Sequence, residues 1–120
     1  MDAIQAQAQL HLQILIGNEP RAYREVIAGA LGALRPTAAI SLIEPSLLEA
    51  ALAECQPALV LCSRLTAAIQ TRARAWVLLY PDGDGRAVAG FAGQERDIPG
   101  IDFEALLAIV DQALGAAPAP

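Results

Sequence analysis

Leu10-His11-Leu12-Gln13-Ile14-Leu15-Ile16 is followed at once by Gly17-Asn18-Glu19-Pro20, and then by Arg21-Ala22-Tyr23-Arg24-Glu25-Val26-Ile27. The first stretch alternates apolar and polar residues and ends in an unbroken Ile-Leu-Ile, the pattern of a strand buried in a sheet. The Gly-Asn-Glu-Pro break stops it. Asn18 or Glu19 is placed to cap a helix, and Pro20 suits a first helical turn. Apolar residues then recur at Tyr23, Val26, Ile27, Ala30, Leu31 and Leu34, a helical period, with Arg21, Arg24 and Glu25 off that face. Arg35-Pro36 closes the helix. A buried strand, a short turn and an amphipathic helix make the opening of an alternating α/β unit.

The rest of the chain repeats that unit. Ala38 to Ile43 reads as a second strand. Ser46 and Glu49 have the spacing of a capping box, and the helix they open carries Leu47, Leu48, Ala51, Leu52 and Cys55 on one side. Ala58 to Cys62 is apolar throughout and reads as a central strand covered on both faces. Leu65 to Arg74 reads as a short helix and Ala75 to Tyr80 as the fourth strand. Pro81-Asp82-Gly83-Asp84-Gly85 is then pure turn chemistry. So short a link cannot cross back over a sheet, so Arg86 to Ala92 is expected to return antiparallel as a hairpin. Gly93 to Gly100 reads as a loop. Asp102 caps a final helix with Phe103, Leu106, Leu107, Val110 and Leu114 facing inward, and Ile101 can staple to Leu106.

Alternating β and α units imply a mostly parallel sheet between two helical layers. Right-handed crossovers give a five-stranded order of 2-1-3-4-5, with the last strand antiparallel at the edge. The expected organisation is a flexible arm over 1–9, one domain over 10–114 and a disordered tail over 115–120. Binding chemistry in such folds gathers where the winding reverses, beyond the first and third strands. Here that crevice would comprise Gly17, Asn18, Glu19, Ser63 and Arg64, with Tyr80 beside them.

Composition excludes a good deal. The 120 residues suit one small domain, and 55% of them are apolar, 26 being alanine and few aromatic, so a core of Leu, Ile, Val and Ala is expected. All eight basic residues are arginine. Without lysine there is no Schiff-base chemistry and no phosphate-binding P-loop lysine. His11 is the single histidine, which excludes multi-histidine metal sites. A net charge of −5 argues against nucleic acid and against anionic membranes as partners. No apolar run approaches a spanning helix, and Met1 to Leu10 lacks the features of a signal peptide. Cys55 and Cys62 fit a reduced, cytoplasmic protein, and their spacing matches no zinc motif.

Leu12 to Val26, and Gln56-Pro57-Ala58-Leu59-Val60-Leu61-Cys62-Ser63, resemble the first and third strand regions of a response-regulator receiver domain. The resemblance spans residues 12 to 80 and fits the last helix loosely. It implies a flavodoxin-like three-layer sandwich, and a site at which an aspartate accepts a phosphoryl group. In that family two acids hold Mg²⁺, a Thr or Ser and a Lys read the phosphate, and a fourth helix follows the fourth strand. Carried over, the phosphoacceptor position falls on Ser63, the acid pair on Asn18 and Glu19, and the hydroxyl position on Tyr80 or Pro81. The lysine has no counterpart, and the Pro81 to Gly85 turn replaces the fourth helix. Glu19 alone, beside neutral Asn18 and Ser63, is a poor set of Mg²⁺ ligands. Serine is also a weak nucleophile without a base.

The chain thus resembles a pseudo-receiver that is not phosphorylated, binds no cofactor or metal, and acts by protein contact. Its partner would be another protein or a second copy in a homodimer. The alternative is a binding domain for a small anionic ligand or nucleotide at the crevice. Contact is expected at Val88 and Phe91 on the exposed edge strand, and at Ala108 and Ile109 on the outer face of the last helix.

Overall fold

The computed structural model describes residues 13–79 and 85–115. The expected arm, the first residues of the opening strand with His11, the site residue Tyr80, the Pro81 to Asp84 part of the turn and the tail from 116 onward lie outside the described residues.

The opening strand, β1 (Gln13–Gly17), leads to helix α1 (Arg21–Leu34) and strand β2 (Ala39–Leu42). A single 3-10 turn (Pro45–Leu47) precedes helix α2 (Leu48–Glu54). Strand β3 (Leu59–Cys62), helix α3 (Ala67–Arg72) and strand β4 (Ala75–Leu79) follow. Strands β5 (Ala87–Phe91) and β6 (Gln94–Ile98) and helix α4 (Phe103–Gly115) complete the chain. The sheet has six strands in the order β2-β1-β3-β4-β5-β6. The β2, β1, β3 and β4 pairings are parallel, and β5 and β6 are antiparallel additions.

Successive strand residues point to opposite faces, and both faces are packed. On one, Ile14, Ile16, Leu59, Leu61, Val77 and Leu79 meet Leu31 of α1 and Leu106, Ile109, Val110 and Ala113 of α4. On the other, Leu15, Val60, Cys62 and Trp76 meet Leu48 and Leu52 of α2 and Ile69 of α3. This is an α/β fold with a mixed sheet, compatible with three layers. The expected Asp102 cap before α4 is formed, and Thr66 caps α3 in the same way. Thr66 Oγ1 accepts from Ile69 N at 3.2 Å, and Asp102 Oδ1 accepts from Ala105 N at 2.8 Å.

Five expectations are corrected. First, the sheet has a sixth strand where a loop was expected over Gly93 to Gly100, so β5 is not at the edge. Val88 and Phe91 are half-buried on a strand paired on both sides. Second, α1 turns a different face inward. Arg24, Ile27, Ala28 and Leu31 face the sheet, while Tyr23, Val26 and Leu34 are exposed. Third, Ile109, expected on the outer face of the last helix, is only 8% exposed and packs on the sheet, whereas Ala108 is exposed. Fourth, Ser46 forms no capping box. It lies within the 3-10 turn, and α2 starts at Leu48 without a side-chain cap. Fifth, Gly115, expected in the tail, is the last residue of α4.

Candidate functional site

The parallel register brings the C-terminal ends of β1 and β3 side by side, with Gly17 paired to Cys62. The residues that follow, Asn18 and Glu19 on one side and Ser63 and Arg64 on the other, are thereby neighbours. Gly17 leaves room there for the Leu48 side chain of α2, whose methyl a Cβ would approach to 2.7 Å and displace.

Ser63 occupies the centre of the junction. Its Oγ accepts a hydrogen bond from the Glu19 backbone N–H at 2.7 Å and lies 3.3 Å from Glu19 O, to which it donates. Asn18 Nδ2 also donates to it, at 3.4 Å. The hydroxyl thus clasps the β1–α1 loop from across the sheet. Asn18 is 1% exposed. Its backbone carbonyl accepts from Arg24 Nη1 at 3.0 Å. Arg24 is itself buried, and its Nη2 reaches Glu44 Oε1 at 3.2 Å in the loop after β2. One guanidinium therefore ties the loop after β1 to the loop after β2.

Above this network lies a cleft of ≈ 380 Å³. Gly17, Glu19, Ser63 and Arg64 all line it, joined by Glu44, Ser46, Glu49 and Thr66. Asn18 lies beneath rather than in it. Three glutamates line the opening with Arg64, and Glu44 is already paired with Arg24, so the balance of charge around it is weakly negative. Among the described residues, no three His, Cys, Asp or Glu side chains are grouped to hold a metal ion.

Cys62 closes the floor of the cleft. It is fully buried, donates to Val77 O at 3.6 Å, and burial pushes its thiol up to about 12. A thiol so protonated is a small hydrophobe and not a nucleophile. Cys55, expected on the helix, is the half-buried extended residue that caps the end of α2, and burial, then the Glu54 charge, raise its thiol as well.

The structure therefore assembles Gly17, Glu19, Ser63 and Arg64 as the topology demands, with Asn18 adjoining them. The contributions of Arg24, Glu44 and Glu49 were not foreseen. Arg24 did carry a signal: with Ile27, Ala28 and Leu31 it completes the i, i+3, i+4, i+7 spacing of one face, once the aliphatic stem of arginine is counted as apolar. Glu44 comes two residues after β2, so its place at the same end of the sheet follows from the parallel order alone.

No helix among the described residues is long and apolar enough to cross a membrane. In comparisons with known protein families, curated proteins and solved structures, the chain matches none of them.

Proposed function

We propose that this domain is a non-catalytic signalling or scaffolding module of pseudo-receiver type, with a flavodoxin-like sandwich, acting through protein contact in the cytoplasm. The observation that carries this reading is the engagement of Ser63. At the position where a receiver holds its phosphoacceptor, the chain has a hydroxyl bound to the backbone of Glu19. That group is committed to holding a loop: among the described residues its hydrogen bonds go to Asn18 and to the Glu19 backbone, not to a base that would make it a nucleophile. The neighbouring acid position is a buried, neutral Asn18, and the chain has no lysine to read a phosphate. Two free cysteines suit a reducing compartment.

The alternative, a small anionic ligand in the crevice, has Arg64 in its favour but faces Glu19, Glu44 and Glu49 around the same opening. Contact is the better reading. Incubation with Mg²⁺ and acetyl phosphate is expected to leave the intact mass unchanged, and a stoichiometric gain of one phosphoryl group would overturn the proposal. Ser63→Asp alone is expected to stay silent too, since the second acid and the lysine remain absent. Phosphate and nucleotides are expected to leave the melting temperature where it is. A rise with ligand concentration would restore the anion-binding alternative.

A further inference from the structure

The two edges of the sheet are built differently. At one, β6 presents Gln94-Glu95-Arg96-Asp97-Ile98, three charges in a row. At the other, β2 is Ala39-Ile40-Ser41-Leu42 and carries none. Charge on an edge strand keeps other strands away, and an apolar edge invites them. Two large exposed apolar side chains, Leu42 and Leu47, stand at or beside β2. Among the described residues, every large hydrophobic side chain that is half-exposed or nearly so lies between Tyr23 and Leu47. Leu42 is 49% and Leu47 54% exposed. The two share a hollow of ≈ 300 Å³ beside the edge with Arg21 and Glu44.

The ladder says which backbone groups are on offer. Ile43 N donates to Ile16 O at 3.0 Å. In a parallel pair alternate residues bond to a given neighbour, so Ser41 and Ile43 bond inward to β1. The N–H and C=O of Ile40 and Leu42 therefore point outward. We infer that β2 is a homodimer seam, at which the β2 strands of two copies pair antiparallel about a two-fold axis through Ser41.

In that register Ile40 exchanges both backbone hydrogen bonds with Leu42 of the second copy, and the same pair repeats by symmetry. The two Ser41 residues face one another as a non-hydrogen-bonded pair. No charge meets a like charge along the seam. The nearest charges, Arg35 and Glu44, are already paired within each copy, to Asp111 and Arg24, so they leave the seam itself uncharged. Self-pairing of β6 about Arg96 would put Glu95 opposite Asp97 of the other copy, two negative charges. Pairing β2 with β6 of another copy would be head-to-tail and would not close. Of the arrangements compared, the two-fold β2 seam closes without setting like charges opposite one another.

This inference rests on the contact reading above and names its partner, yet the two fail separately. Phosphoryl gain would overturn the reading of the site, and the measurements below concern the seam alone. The wild-type chain is expected to double in mass with rising concentration by light scattering. In a Cys55→Ala background, Ser41→Cys is expected to form a disulfide-linked dimer under mild oxidation. A non-hydrogen-bonded antiparallel pair holds its Cα atoms about 4.5 Å apart, within the reach of a disulfide. Arg96→Cys in the same background is expected to stay uncrosslinked. Leu42→Pro removes only an outward donor and leaves the bonds to β1, so it is expected to fold and to weaken dimerisation at least tenfold. Leu42→Lys, which keeps the backbone and adds a guarding charge, is expected to do the same. A wild-type chain that stays monomeric, a dimer whose affinity survives Leu42→Lys, or crosslinking at Arg96→Cys in place of Ser41→Cys would overturn the proposal.

Discussion

Ser63 shows how one side chain can settle the chemistry of a site by being occupied. Its hydroxyl serves the Glu19 N–H, a donor that would otherwise point at a neighbouring strand end. Ser63→Ala is expected to lower stability by about 1 kcal/mol, the usual cost of one lost hydrogen bond, read as a lower denaturant midpoint at unchanged slope. Cys62, the residue before it, is set by burial. With its thiol held up to about 12, it is expected to resist alkylation until the domain unfolds, while the less buried Cys55 reacts first. The sign of the linkage follows. The unfolded thiol ionises near pH 8.5 and the folded one far higher, so stability is full below about 8.5 and declines as pH climbs toward 12. Cys62→Ala is expected to remove most of that decline, leaving the smaller part that comes from the raised Cys55 thiol, and alkaline denaturation profiles of the two proteins would show it. A steep decline that persists in Cys62→Ala would assign it to another group.

At the scale of elements, the β5–β6 hairpin explains most of what the sequence concealed. Phe91 pairs with Gln94, leaving Ala92 and Gly93 as a two-residue turn. Both have positive φ, 53° and 84°, as a type I′ turn needs. Gly93 meets that demand freely, while Ala92 does so at a steric cost. Ala92→Asn or Ala92→Gly is therefore expected to stabilise the domain by about 1 kcal/mol, measured by denaturant titration. The signal for this hairpin was half present: glycine stood in the right place, without the asparagine that usually precedes it. Gln94 to Ile98 also lacks an apolar alternation, because an edge strand can be paired by its backbone while its side chains stay in water. The buried strands β1 and β3 were legible because burial on both faces forces continuous apolar runs. The same holds for the cleft, whose members follow from strand ends. The face of α1 was misread because a buried arginine with two acceptors counts as charged in the sequence and as packed in the fold. Gly90, opposite Trp76, belongs here too. Its missing Cβ makes room for the indole, which a Cβ would overlap. Gly90→Ala is expected to cost about 1–3 kcal/mol and to shift the emission of the single tryptophan.

The whole molecule is two helical coverings on one sheet, and the helices on the same face are joined by more than the core. Arg35 at the end of α1 and Asp111 in α4, 76 residues apart, form a two-pronged pair. Nε lies 2.6 Å from Oδ1 and Nη2 2.7 Å from Oδ2. Such forked contacts are the geometrically specific kind of ion pair, and this one fixes how α4 lies beside α1. Each partner shifts the other: the hydrogen bond from Arg35 holds the Asp111 carboxyl below the usual aspartate range, and Asp111 raises Arg35. Only the aspartate titrates in reach of experiment. Its folded pKa lies below its unfolded one, so the contribution is full above the ordinary aspartate value of about 3.9. It fades as pH falls through the folded value. Both side chains are partly exposed, so salt should screen the pair. Arg35→Gln is expected to remove this part of the acid destabilisation, giving a melting temperature less dependent on pH below about 4, and to remove the matching salt dependence. The variant and the wild type should converge at low pH, where Asp111 is protonated in both. Curves that stay parallel from neutral pH through acid would mean that Arg35 acts on α4 through packing of its stem alone.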